Sequence, residues 1–317
     1  MSDAPLRSLT GANVVVVAGK GGVGKTTVTA VIARAAARSG RRVLVLELDG
    51  KPALEALLPA REGEQLEVRH LSAPDLLEEY LEDHGFRRIA KRLNKTGVID
   101  MIATAAPGID DVVVLGKVKQ HERSGRHDLV VVDGPAAGHA VTFLRSATGL
   151  AAAVRGGPVR AQCDDVLELL TDADRCQAVL VTLPETTPVN ETIETAYALE
   201  EHVGIRLGPV VVNGVDGGVA LPDEAGAEAA LTSVGDAEAD VLRSSAAFRR
   251  SRRAMQAGAL DRLAERLPLG RVTLPAVAEA GLGADDVDAL ADRLLADDGP
   301  VHVALDGGAP GPAGTPR

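Results

Sequence analysis

The chain has 317 residues, 45% apolar and 25% charged, a balance that excludes a disordered or collagen-like polymer. Its formal net charge of −11 disfavours a general nucleic-acid binder, because neutralising phosphates needs a basic surface, though a local basic patch is compatible with it. Aromatic residues amount to 2% with no Trp, so the core has to come from Val, Leu, Ile and Ala, which suits a parallel sheet buried on both faces.

In chain order, the opening MSDAPLRSLTG shows neither the apolar region nor the cleavage site of a signal peptide. No apolar run approaches the roughly 18 residues of a membrane span, so a cytoplasmic protein without an integral membrane segment is expected. Residues 14–18 (VVVVA), 43–48, 128–133, 177–183, 209–215 and 271–274 read as strands, with 66–71 a weaker candidate. Helical patterns separate them, which predicts right-handed βαβ crossovers and an α/β fold with a mainly parallel sheet flanked by helices. The first helix, 24–39, stops at Gly40 with Arg34 and Arg38 near the negative end of its dipole. Residues 1–300 read as one domain, with a helical subdomain at one edge of the sheet from about 72–123 and 138–172.

Two basic clusters stand out. FRRIAKRLNK (86–95) places Phe86, Ile89, Ala90 and Leu93 on one helical face, with cations on the rest as a solvated surface. FRRSRR (248–253), with Asp236, Glu238 and Asp240 nearby, reads as a salt-bridged surface helix. Cys163 and Cys176, thirteen positions apart, form no metal-ligand spacing and fit a reducing compartment. The Gly- and Pro-rich tail, 301–317, is expected to be disordered.

The chemistry centres on Gly19-Lys20-Gly21-Gly22-Val23-Gly24-Lys25-Thr26-Thr27, which satisfies the phosphate-loop pattern G-x-x-x-x-G-K-[ST] between a strand and a helix. Glycines let backbone N–H groups converge on an anion, and the helix adds its positive end. Lys25 would neutralise the β- and γ-phosphates of ATP, and Thr26 would complete the shell of Mg2+. Asp49 and Asp133 close the second strand and the DLVVVD strand, where carboxylates line the ligand edge of a doubly wound sheet. Lys20, five residues before Lys25, is not required by the ordinary loop.

GKGGVGKTT resembles the deviant Walker A signature of the MinD, ParA, nitrogenase-iron-protein and ArsA group of dimeric NTPases. That resemblance implies that Lys20 crosses a dimer interface to the phosphates of the other subunit. The ArsA branch, which includes the arsenite-pump ATPase and the ATPases that target tail-anchored membrane proteins, is the most similar. Its switch II, D-T-A-P-T-G-H, is matched in spacing by Asp133-Gly-Pro-Ala-Ala-Gly138-His139, and its P-E-x5-E-T segment by residues 184–192. Asp133 then belongs with Thr26 at the metal. Of its switch I, D-P-A-H, only Asp49 carries over, and it would orient the hydrolytic water. Asn213 corresponds to the asparagine that hydrogen-bonds adenine, and Leu274-Pro275 to a loop near that base. APGIDDVVVLGKVKQ and GGPVRAQCDDVLELL are similar to actinobacterial members of the branch.

The departures are specific. No CxxC bridges a dimer, two cysteines make no metalloid cluster, and three Met residues make no Met-rich groove. The resemblance therefore implies a Mg-dependent dimeric ATPase, paired with itself or a related chain, that handles a partner protein or hydrophobic client. The alternatives are a MinD- or ParA-like positioning switch and a weakly hydrolysing regulatory subunit paired with a related ATPase.

Overall fold

A computed structural model describes residues 4–48, 53–83, 108–218, 221–222, 224–232, 234–277 and 281–296. Asp49, the 86–95 cluster and the 301–317 tail lie outside these residues.

Strands β1 (Val14–Gly19), β2 (Val43–Leu48), β3 (Leu66–Leu71), β4 (Leu129–Ala136), β5 (Cys176–Thr182), β6 (Arg206–Leu207), β7 (Val210–Val215) and β8 (Arg271–Pro275) form one sheet. Its order is β3-β2-β4-β1-β5-β7-β8, with β6 beside β5, and every described pairing is parallel. Apolar runs such as VVVVAG are buried along their whole length because helices cover both faces. The weaker candidate at 66–71 is indeed a strand, half exposed because it forms the edge beside β2.

On one face lie α1 (Ala4–Leu9), α2 (Lys25–Arg38), α3 (Leu54–Leu57) and α11 (Ala284–Leu295). Val15, Val17, Val43, Val45, Val131 and Val179 point into that layer. On the other face lie α4 (Ala73–Asp83), α5 (Ile109–Arg123), α6 (Ala137–Ala153), α7 (Pro158–Thr171) and α8 (Thr186–His202). The alternate strand residues Val14, Val16, Leu44, Leu46, Val130 and Val132 point there, as the period of two requires. Where the sequence suggests a helical subdomain at the sheet edge, the described helices α4 to α7 share one core with the sheet face.

Helices α9 (Glu224–Leu231) and α10 (Asp236–Arg266) follow β7. The acidic and basic stretches read separately at 236–240 and 248–253 are two parts of this single helix of 31 residues.

Candidate functional site

β1 runs straight into the glycine loop, and α2 begins at Lys25 directly behind it. Gly22 and Gly24 have φ of 85° and 88°, the left-handed region in which a side chain is strained. A Cβ on Gly19 would stand 2.4 Å from Val181 O, and one on Gly24 2.4 Å from Asn213 Nδ2, so both need to be glycine. Above Gly21 and Gly22 there is open space. The loop is thus pressed onto β5 and β7 from below and open above, which is the shape of an anion cradle at a helix N-terminus.

Asp133 arrives from β4, in register with Val17 of β1 and Glu47 of β2. It is 8% exposed and accepts hydrogen bonds from Thr26 Oγ1 at 2.8 Å (to Oδ2) and Thr29 Oγ1 at 3.1 Å (to Oδ1). Burial pushes its carboxyl above the usual range, against the pull of the two hydroxyls and of Lys25. Burial lowers the Lys25 ammonium, with Asp133 opposing. Lys25 Nζ donates to Lys20 O at 3.2 Å, so the amine lies along the inside of its own loop. After Asp133, Gly134 passes so close to β1 that a Cβ would meet Val17 O at 2.5 Å. This close approach gives a steric reason for a glycine where the ArsA pattern has Thr.

The predicted residues Gly19, Lys20, Gly21, Gly22, Val23, Gly24, Lys25, Thr26, Thr27, Asp133 and Asn213 all gather at this end of the sheet. Asn213 donates from Nδ2 to Val23 O at 2.9 Å, pinning the loop from below. Leu274 is 2% exposed within the core that also contains Val23, which leaves Pro275, paired with Val215, as the more accessible of the two. Lys20 does not extend freely: its Nζ lies 2.5 Å from Glu191 Oε1 on α8, with the two side chains 36% and 38% exposed.

Three residues here have no assigned role from sequence. Thr29, fully buried, clamps the second oxygen of Asp133, and its signal is a polar side chain on the inner face of KTTVT. Glu47 is 4% exposed and accepts from the N–H of Ala53 at 2.9 Å and of Leu54 at 3.3 Å, holding the chain just beyond Asp49. Its signal is an acid inside the apolar run VLVLEL. Glu191 belongs to the P-E-x5-E-T segment, but its pairing with Lys20 is set by the tertiary fold, since 171 positions separate the two.

A site of this composition suits a magnesium–triphosphate. The hydroxyl of Thr26 and the carboxylate of Asp133 are hard oxygen donors on one side of the loop, and the N–H groups over Gly21 and Gly22 are unobstructed. Beside it, a cavity of about 400 Å³ lies between Leu48, Leu71, Pro135, His139 and Phe143, with the segment after Asp133 as one wall. Cys163 and Cys176 are both buried and unbonded. Among the described residues no helix is long and apolar enough to cross a membrane.

The family model described as anion-transporting ATPase matches residues 12–156, the stretch that carries the glycine loop, Asp49, Asp133 and His139. The ATPase BagA of Mycobacterium tuberculosis is similar at 32% identity over 225 residues, covering 65% of this chain and 66% of that protein. A protein of Halobacterium salinarum named as an arsenical pump-driving ATPase is 27% identical over 300 residues, 85% of this chain and 42% of its own length. The ATPase get3 of Schizosaccharomyces japonicus is 28% identical over 143 residues, 42% of this chain and 44% of that protein. The chain thus spans just under two thirds of the mycobacterial relative and less than half of the other two.

Proposed function

The chain belongs to the family of ArsA-type ATPases, and from that premise we propose that it hydrolyses ATP with magnesium as a face-to-face dimer. The observation that carries the reading is the pair Thr26–Asp133, at 2.8 Å, under a glycine loop that is pinned from below and open above. The N–H groups of residues 21–26 bind phosphate oxygens, and Lys25 moves from Lys20 O onto the β- and γ-phosphates. Thr26 and Asp133 would hold Mg2+, which would supply Lewis-acid polarisation of the terminal phosphate. Thr29 keeps Asp133 oriented, and burial of Asp133 strengthens its preference for a cation.

In this reading Lys20 leaves Glu191 and reaches the phosphates of the neighbouring subunit, where a cation supplied in trans contributes on the order of 10³–10⁵ in rate. Asp49 orients the water, and Glu47 holds the chain that follows it. The adenine lies on the Asn213–Pro275 side. The neighbour is a second copy or a related ATPase. Loss of the terminal phosphate shifts residues 134–139, changing the cavity beside His139, and this couples turnover to a partner protein or hydrophobic client. The setting proposed is the cytoplasm.

The test is Lys20→Ala, with turnover and nucleotide affinity measured on the same preparation. Turnover is expected to fall by about 10³-fold or more, with affinity nearly unchanged. Equal loss of both would place Lys20 in its own subunit's binding site and overturn the reading in trans.

A further inference from the structure

The long helix α10 has two distinct faces. Ala239, Gln256, Ala259 and Leu263 are buried, and the chain leaving β7 fastens this side. Arg249 forms a two-point ion pair with Asp216 at 2.8 Å, and Gln256 Oε1 accepts from Asp216 N at 3.0 Å. A second line of residues is exposed. Val241, Phe248 and Met255 are 65%, 70% and 67% exposed and recur every seven positions. Between them, at the complementary heptad spacing, stand the exposed small residues Ala237, Ser244, Ser251 and Gly258. Interleaved large and small series with a seven-residue period form a coiled-coil seam, and here they run for three heptads, exposed among the described residues.

We propose that this seam is a self-association surface, on which α10 of a second copy of the chain packs antiparallel. The commitment to a second copy rests on shape and charge together. Antiparallel alignment about residue 246 sets all three large residues of each helix against the small residues of the other: Val241 on Ser251, Phe248 on Ser244, Met255 on Ala237. The same alignment brings the acidic first turns, with Asp236, Glu238 and Asp240, over the basic stretch of the opposing helix. Glu238 and Arg252 occupy equivalent flanking positions of the heptad at opposite ends of the seam, so each helix would form the pair twice. The side chains of Arg250, Arg252, Asp236 and Glu238 make no hydrogen bond or ion pair among the described residues. Parallel pairing would put acids on acids and arginines on arginines. A two-fold axis makes a single surface complementary to itself, which this surface is. The seam requires no nucleotide, so the inference goes beyond the ATP-dependent contact through Lys20 and can fail separately from it.

Sedimentation of the nucleotide-free chain over micromolar concentrations tests it. The wild-type chain is expected to dimerise, and Phe248→Glu to raise the dissociation constant by about tenfold or more while circular dichroism stays unchanged. Glu238→Arg should weaken the dimer, and Glu238→Arg with Arg252→Glu should restore it. Spin labels on residue 237 should sit about 27 Å apart along the axis, against about 10 Å for a parallel pair. A nucleotide-free chain that remains monomeric at tens of micromolar, a Phe248→Glu dimer of unchanged affinity, or closely spaced labels would each overturn it.

Discussion

Helices α2 and α10 are built from similar residue types and meet opposite fates. In α2, ten of fourteen residues are buried, and its hydrophobic pattern wraps most of the way round because the sheet lies on one side and α11 on the other. In α10 only four of 31 residues are buried, all on one stripe. The contrast is sharpest in the arginines. Arg34 of α2 is fully buried, yet its guanidinium is matched by Glu64, by Asp288 at 3.0 Å and by Pro59 O at 2.8 Å. Arg38 continues the network to Asp288 at 3.1 Å and to Asp292. Arg250 and Arg252 of α10, by contrast, face water. The helix that follows the glycine loop is clamped by the sheet and by α11, whereas α10 is held by one edge.

The comparison breaks most readily at Arg34. Arg34→Ala removes the fully buried member of a charged network and leaves Glu64 to Arg38 and Asp288 to Arg38 and Arg61, so a loss of about 2–3 kcal/mol is expected in urea unfolding. A loss below about 1 kcal/mol would show that the network is not what clamps α2.

A second test concerns the opposite face of the sheet. Burial, with Arg69 and Lys117 close by, lowers the His121 imidazole to about 4. The unfolded chain binds this proton near pH 6.5 and the folded chain only near 4, so stability should fall as pH drops through that window. For a ring only half buried, the contribution should be about 1–2 kcal/mol after solvent screening. His121→Gln should flatten the dependence between pH 6.5 and 4. An unchanged slope would assign the acid sensitivity to other groups.

The smallest effect lies on α10. Val241→Ser in the monomer should alter unfolding stability by less than about 0.5 kcal/mol, because the residue is 65% exposed. A larger loss would mean that this face packs on something within its own chain.

The amino-acid sequence by itself determined the site's loop and most of the sheet. The continuous apolar runs VVVVA and VLVLEL, the glycine spacing and the lysine–threonine pair are local signals, and local backbone chemistry fixes what they form. The DLVVVD strand also carries Asp133 to Thr26 at the glycine loop, because parallel crossovers put the C-terminal parts of the strands on one edge. The short α1 and two-residue β6 carried too little periodicity to be read. Only the tertiary structure decided that Arg34 is a buried ion-network residue rather than a cation at a helix end. It also set Lys20 against Glu191, turned Asn213 beneath the glycine loop, and joined the acidic and basic stretches of 236–253 into one helix with an empty seam. Each of these depends on which side chains meet across a long chain separation. Spacing along the chain does not encode such meetings, because they are decided by burial and charge pairing once the sheet has closed.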